Sequence, residues 1–357
     1  MEKRRLGKTE LLVSPIGYGA LTGITSETLL AGVRGGMNFI DTARAYGSSE
    51  MEIGKMLKEL GERSRVIIST KSGSRTLEGF RHDFATSLEM LGTDYIDIMF
   101  LHDVSTEENW KLVQNNGLID ELYRLKEEGT IRRLGVSTHD NGDIATEMMK
   151  SGHFEAVMLA YNAANPEASE THIPLAKSLD LGIIIMKPYG GGVLTEKRSR
   201  EMGFSITAED ALKWVISNKD ISVAIPGMDA VKYVESALSV LNSDFDSFSD
   251  KELKSISGNV SIKGREYCRG CGYCLPCPQE IPLPEALALN NRWEVYYHAD
   301  WAQMHLISDE FNKRIPVDKG PERCTKCGIC QQKCPYDLPI PELMENCVKI
   351  KQHINPA

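Results

Sequence analysis

Short runs of apolar and β-branched residues alternate with amphipathic stretches from Val13 to about Leu241. The runs predict strands at Val13–Ala20, Met37–Ala43, Arg65–Lys71 and Ile96–Asp103, and again at Ile131–Thr138, Ala156–Asn162, Gly182–Pro188 and Ser222–Gly227. Between them, stretches such as Ser49–Leu60, Leu118–Glu128 and Ala208–Ser217 carry apolar residues at helical spacing. Regular alternation of strand and helix predicts a parallel sheet. Eight such units in about 240 residues predict an α/β fold, a closed (β/α)8 TIM barrel. The alternative is an open doubly wound sheet, which wants a G-x-G-x-x-G turn after its first strand. Gly17-Tyr18-Gly19-Ala20-Leu21-Thr22 lacks the third glycine.

Beyond the barrel the pattern changes. Ser243 to Asp250 is rich in Ser and Asp and reads as a linker, with Lys251–Ser257 as a short helix. The predicted organisation is a barrel over residues 1–245, a linker over 246–259 and a mainly helical C-terminal domain over 260–357. Eight of the nine cysteines form two clusters in that last segment. One is Cys268, Cys271, Cys274 and Cys277, followed by Pro278; the other is Cys324, Cys327, Cys330 and Cys334, followed by Pro335. The second matches C-x2-C-x2-C-x3-C-P, the spacing of bacterial two-cluster ferredoxins, and the first is one residue shorter before its last cysteine. Three thiolates at this spacing can wrap three corners of a cubane, and the fourth corner needs a thiolate from elsewhere. The ferredoxin resemblance implies crossed ligation. One [4Fe–4S] centre would use Cys268, Cys271, Cys274 and Cys334, the other Cys324, Cys327, Cys330 and Cys277.

Disulfides suit a secreted chain, but Met1 to Glu10 is basic and polar, without the apolar stretch of an export signal. Zinc favours two separate C-x-x-C pairs per site. Cys347 stands at helical spacing from Leu343 and reads as a buried apolar residue. The 46 residues between the two motifs carry Trp293, Tyr296, Tyr297 and Trp301, too aromatic for a free loop, and predict packed helices. A net charge of −9 with no basic stripe argues against a nucleic-acid partner. No apolar run approaches the ~20 residues of a membrane helix. The expected location is the cytoplasm.

Polar residues at the ends of buried strands converge on the mouth of a barrel. Asp41 ends the second strand, with Tyr46 in the loop after it; Lys71 ends the third and His102 the fourth. Each strand end follows an apolar run. The set suits carbonyl reduction. A hydride reaching a carbonyl carbon leaves an alkoxide that needs a proton, and Tyr46 would donate it. Lys71 would lower the phenol's pKa, Asp41 would hold Lys71, and His102 would bind the carbonyl oxygen.

Phe39-Ile40-Asp41-Thr42-Ala43-Arg44-Ala45-Tyr46-Gly47, Ser69-Thr70-Lys71 and Leu101-His102 resemble signatures of the aldo-keto reductases. Gly92-Thr93-Asp94-Tyr95-Ile96-Asp97 and Gly135-Val136-Ser137 do so too, and the match spans roughly Leu6 to Leu241. With its cysteine module the chain is similar to the group of that family fused to a C-terminal two-cluster ferredoxin-like domain. The resemblance implies an oxidoreductase that binds NAD(P)H across the barrel mouth and acts on a small carbonyl or alcohol, with a redox partner such as a ferredoxin. It carries nucleotide contacts onto Gly19, Ala20, Ser137, Thr138, Met186, Lys187, Pro188, Gly190, Gly192 and Gly227.

Several positions depart from the family pattern. Ser137-Thr138 replaces Ser-Asn, Met158 a glutamine, Met186 a stacking aromatic and Ser236-Ala237 a Glu-Asn pair. Met228-Asp229 stands where an arginine often holds a 2′-phosphate, which leans toward NAD. The alternative is an electron-transfer protein whose barrel docks a partner without nicotinamide chemistry. Arg44 and Arg75, near strand ends, are candidates to hold a carboxylate or phosphate.

Overall fold

The computed structural model describes residues 2–21, 23–139, 142–190, 194–195, 206–242, 251–253, 256, 268, 274–296, 315–334 and 338–354. The chain divides into two compact units, Met1–Arg200 with Ser205–Ser257, and Gly258–Ala357 with Glu201–Phe204.

The first unit is built on eight parallel strands: β1 (Tyr18–Gly19), β2 (Phe39–Asp41), β3 (Ile67–Ser72), β4 (Ile96–Leu101), β5 (Ile131–Ser137), β6 (Ala156–Ala160), β7 (Gly182–Met186) and β8 (Val223–Ile225). Each pairs with its successor in the chain. Parallel bridges from Ile16 to Ala224 and from Gly19 to Gly227 join the last strand to the first and close the ring. The seam needs glycine at position 19, because a Cβ there would lie 2.7 Å from the Ile225 carbonyl oxygen.

Amphipathic helices surround the strands: α1 (Ser26–Arg34), α2 (Ser49–Leu60), α3 (Leu77–Leu91), α4 (Glu107–Asn115), α5 (Leu118–Glu127), α6 (Asp143–Lys150), α7 (His172–Ser178), α8 (Ala208–Ser217) and α9 (Val231–Leu241). Thr25, Thr76, Thr106 and Thr207 cap α1, α3, α4 and α8 by accepting from a backbone N–H of the first turn.

An antiparallel hairpin, Arg4–Arg5 with Leu12–Val13, covers the end of the barrel where the strands begin. The Arg4 guanidinium donates to the carbonyls of Ile221 (2.8 Å) and Ile216 (2.7 Å), and Lys8 N–H donates to Asp180 (2.6 Å). Leu6 and Val13 pack into the interior with Phe39, Ile98, Phe100, Met158 and Ile184. The single strand expected over Val13–Ala20 is therefore split, Val13 in the hairpin and Tyr18–Gly19 in the barrel. Pro15, between them, has no N–H to give to a ladder.

In the second unit, α10 (Leu283–Tyr296) packs with α12 (Ile340–Ile354), and α11 (Ile329–Lys333) follows the second cysteine motif. Ile281, Leu287, Ile315, Leu338, Leu343 and Met344 are buried in its core. Helix α10 accounts for the expected helix over Trp293 and Tyr296. Tyr297, Trp301 and the linker Ser243–Asp250 lie outside the described residues; of Lys251–Ser257, residues 251–253 and 256 are helical and the other three lie outside the described residues. Among the described residues no helix is long and apolar enough to cross a membrane.

Gly54 lets α2 lie against the C-terminal turn of α3. A Cβ there would meet the Met90 carbonyl oxygen at 2.4 Å, and that oxygen belongs to backbone that cannot swing away. Gly54→Ala should cost about 1–3 kcal/mol by overpacking. The check is the denaturant midpoint, which should fall with an unchanged slope.

Candidate functional site

Strand alternation builds the mouth. On β2, Phe39 faces the interior and Asp41, two residues on, lies on the same face; on β3 the sequence is Ile67, Ser69, Lys71; on β4 it is Ile98, Phe100 and then His102. One polar layer thus tops one apolar layer. Lys71 Nζ donates to Asp41 Oδ2 at 2.5 Å and to the Thr42 carbonyl at 2.7 Å. Ser69 Oγ donates to Asp41 Oδ1 at 2.7 Å. Lys71 and Asp41 are 1% and 3% exposed. Burial pushes the Asp41 carboxyl up and the Lys71 ammonium down, and their mutual attraction opposes both shifts.

The loop after β2 brings Tyr46 to this pair. Thr42 N–H donates to Ser69 O (2.8 Å) and Arg44 N–H to Lys71 O (3.0 Å). Lys71 Nζ lies 5.2 Å from the centre of the Tyr46 ring. His102 meets that ring edge-on, with centroids 5.7 Å apart at 85°. The four residues singled out from the sequence therefore stand together.

Their electrostatics differ from the expectation in one respect. The Tyr46 phenol is held above its ordinary value, by burial first and then by the charges of Asp41 and Asp103. His102 is lowered to about 4, by burial first and then by Lys71. At neutral pH the site presents a protonated phenol and a neutral imidazole.

The positions assigned to a nucleotide are placed as follows. Ala20 is buried, and its N–H donates to the Asp41 carbonyl at 2.8 Å. Ser137 Oγ accepts from Asp103 N–H at 3.0 Å and donates to Leu101 O at 3.5 Å, and the Thr138 hydroxyl meets that of Ser105 at 3.3 Å. Met158 is sealed in the barrel core. Met186, Lys187 and Pro188 follow one another at the end of β7. There the Lys187 carbonyl accepts from Asn162 Nδ2 (3.0 Å) and Gly190 N–H (2.8 Å). Gly227 faces Gly19 across the seam. Gly192 lies outside the described residues. Ser236 Oγ donates to Glu209, and Ala237 is buried.

Neither candidate anion-holding arginine is set up for a ligand. Arg44 forms an ion pair with Glu50. Arg75 donates to the carbonyls of His102 (2.5 Å), Asp103 (3.0 Å) and Gly73 (3.1 Å). Backbone carbonyls beside a loop arginine are acceptors that a sequence pattern does not display.

His139 and Asp103 escaped the sequence reading. Each directly follows a strand-end residue already singled out, Thr138 or His102, which was the available signal. His139 N–H donates to Ser105 Oγ at 2.8 Å, and Ser105 donates to Asp103. His139, although exposed, is lowered. Desolvation is the larger cause, followed by the charge of Lys187.

In the second unit, Cys277 from the first motif lines one pocket with Cys324, Cys327 and Cys330 from the second. The space opens to solvent. Cys330 is buried, and burial raises its thiol. Cys268, Cys274 and Cys334 pack around the same small core. Cys271 lies outside the described residues. The described cysteines form no disulfide. Cys347 is buried, donates to the Ala286 carbonyl at 3.1 Å and is pushed up to about 12 by burial, which makes it a packed thiol.

Residues 25–207 match the model of the aldo/keto reductase family, and residues 265–338 that of a 4Fe-4S dicluster domain. The chain is 31% identical to L-galactose dehydrogenase of Arabidopsis thaliana over 279 residues, 66% of this chain and 86% of that one. It is 29% identical to the NADH-specific methylglyoxal reductase of Escherichia coli (strain K12) over 236 residues, 56% and 71% of the two chains. Among solved structures, the holo form of an aldo-keto reductase from Bacillus halodurans superposes with a TM-score of 0.62 at 22% identity, covering 72% of this chain and 96% of that one. A Klebsiella pneumoniae aldo-keto reductase in complex with NADPH gives 0.59 at 22%, covering 73% and 95%. At these identities the structural likeness speaks for the barrel fold.

The position of His102 has a measurable consequence. In NMR its ring should stay neutral down to about pH 4, whereas an ordinary histidine protonates near ~6.5. Because the folded value is the lower one, its contribution to stability is complete above ~6.5 and declines as pH falls toward about 4. A ring that titrates like an exposed histidine would contradict the burial described here.

Proposed function

The chain belongs to the aldo/keto reductase family, and from that premise we propose that it interconverts a small carbonyl and its alcohol through Asp41, Tyr46, Lys71 and His102. The observation that carries this reading is the convergence of the four, with a buried Lys71–Asp41 pair 5.2 Å from the Tyr46 ring. Bound at the mouth, NAD(P)H would supply a hydride to the carbonyl carbon. The oxygen then needs one proton, and the Tyr46 phenol carries it at neutral pH. A developing alkoxide is a stronger base than a phenolate, so the raised phenol still gives its proton up. Lys71 offsets the phenolate charge left behind, and Asp41 holds Lys71 in place. Neutral His102 donates a hydrogen bond that orients the carbonyl oxygen.

Among the contacts we assign to a dinucleotide are Gly19, Gly190 and Gly227, all three in loops or at strand ends of the barrel. Ala20, Ser137, Thr138, Met186, Lys187, Pro188 and Gly192 complete the contacts we assign to it. The names of the two curated relatives favour a small carbonyl or sugar-like substrate, and the E. coli one favours NADH. One observation favours a second reading, electron transfer without nicotinamide. Ser137 is already hydrogen-bonded within the protein, and Met158 is sealed in the core where an amide-gripping side chain is expected. Nicotinamide fluorescence on anaerobically purified protein separates the two, since binding of neither NADH nor NADPH removes the hydride mechanism.

We assign residues 1–245 to the barrel, 246–259 to a linker and 260–357 to a domain holding two [4Fe–4S] clusters, in a cytoplasmic protein served by a ferredoxin-type partner. The pocket shared by Cys277, Cys324, Cys327 and Cys330 supports the crossed arrangement. Cys268, Cys271, Cys274 and Cys334 would hold the other cluster. Among the described residues no three His, Cys, Asp or Glu side chains gather as one metal ion requires. A cubane, with each thiolate on its own corner, takes a wider spacing than the ≈ 2.3 Å bonds of a lone zinc ion. The clusters would supply single electrons.

Two measurements test these assignments. Tyr46→Phe should leave folding and iron content intact and lower carbonyl reduction by about 10²-fold or more; an unaffected enzyme would remove the mechanism. Anaerobic protein should hold about eight irons and eight sulfides. Cys277→Ser should perturb the cluster of the Cys324 motif rather than that of its own, as read by EPR of the reduced protein.

A further inference from the structure

Glu50 stands on the first turn of α2, four residues after Tyr46, and its side chain is 1% exposed. The chemistry above does not use it. A buried carboxylate costs several kcal/mol unless it is paired and hydrogen-bonded, and Glu50 is both. Thr70 Oγ1 donates to Glu50 Oε1 at 2.6 Å. The other carboxylate oxygen pairs with the Arg44 guanidinium, whose side chain is 23% exposed.

The two partners lie beside the two ends of the proton-donating pair. Thr70 precedes Lys71 and, by strand alternation, faces outward from the barrel toward α2 while Lys71 faces inward. Arg44 precedes Tyr46 by two residues, and its N–H donates to the Lys71 carbonyl at 3.0 Å. Within the loop, Tyr46 N–H donates to Ala43 O (3.0 Å) and Ser49 N–H to Tyr46 O (3.1 Å). Ala45, Gly47 and Ser48 are exposed, and Gly47 has no atom within 4 Å of where a Cβ would lie. Ser49 ties the start of α2 to β1 through the Ala20 carbonyl at 2.6 Å. Two backbone bonds tie the loop to β3, the strand of Lys71, Thr42 N–H to Ser69 O (2.8 Å) and Arg44 N–H to Lys71 O (3.0 Å), and Glu50 adds the side-chain tie to that strand through Thr70.

We infer that Glu50 is a positioning residue: its carboxylate joins the outer face of the Lys71 strand to the Tyr46 loop and so holds the phenol over the ammonium. The inference rests on the reading of Tyr46 as proton donor. Loss of the tie leaves the loop on its backbone bonds alone, because the Arg44 side chain can turn to water once its partner is gone.

Glu50→Gln keeps the side chain's size and an oxygen for Thr70 but releases Arg44. It should lower kcat about tenfold with KM nearly unchanged, the scale of a displaced catalytic group. That loss should vanish in a Tyr46→Phe background, since both changes act on one proton transfer. Thr70→Val, which removes a single hydroxyl and spares the ion pair, should shift the same parameters by about threefold.

A second readout does not depend on turnover. Tyrosinate absorbance at about pH 11, one unit above the ordinary tyrosine value, is compared between each protein and its Tyr46→Phe counterpart. The groups around the phenol are Lys71, Asp41, His102 and Asp103. Tyr46 should be silent in the wild type, where burial holds its proton, and should contribute one tyrosinate in Glu50→Gln, where water reaches it. A merely structural role would lower stability and leave this signal and kcat where they were, which would overturn the inference. Should Glu50→Gln fail to fold, Thr70→Val decides by the same signal. If the wild type reduced no carbonyl while the signal still moved, Glu50 would stand as the residue positioning Tyr46 and the reductase reading would fall.

Discussion

Two opposite charges, Asp41 and Lys71, are buried at the mouth of the barrel. Either alone would be costly there, and removal of one strands the other. The pair is tolerated because Ser69 and the Thr42 carbonyl take up further hydrogen-bonding capacity of the carboxylate and the ammonium. That arrangement demands a fixed register between β2 and β3, since a slip of one residue in either strand would turn its charge into the helix layer and leave the other buried alone. The apolar residues beneath, Phe39, Ile67, Ile98 and Phe100, hold that register by filling the interior. The Tyr46 loop continues β2 and is hydrogen-bonded to β3, so the position of the phenol depends on the register of the pair.

The same burial sets the protonation of the mouth. It raises the phenol and lowers His102, so acid and hydrogen-bond donor are both present at neutral pH. In the proposed reaction Lys71 would act less by lowering the resting phenol than by compensating the anion formed on it, and the phenol would keep its proton until a stronger base appears.

The second unit meets a different constraint. Among the described residues, its hydrophobic core draws on α10, α12 and a few loop residues, and cysteines of both motifs lie around it. Small domains commonly need a covalent or metal staple to be stable. Thiolates drawn from both motifs into one pocket would brace the two loops against each other, which makes cluster assembly and folding of this unit mutually dependent.

Much of this was legible in the chain. The eight strands follow from periodicity, and Asp41, Lys71 and His102 are marked by their place after apolar runs. Cysteine spacing marked the thiols that share a pocket. These are local signals, carried by residues a few positions apart. The break of Val13–Ala20 at Pro15 was local too, and was passed over because the apolar pattern runs through it. Other features had no local signal. Arg44 and Arg75 read as free cations, yet one meets a buried Glu50 and the other the carbonyls of His102 and Asp103. Burial, the charge of Asp41 at the end of the preceding strand and that of Asp103 from another strand end moved the Tyr46 phenol opposite to the expected direction. His139 joined the mouth through Ser105, a residue 34 positions away. Spacing along the chain determines which residues share a strand face or a cysteine motif. Which charges meet, and how much water they keep, is a sum over partners distant in sequence, and only the closed barrel decides it.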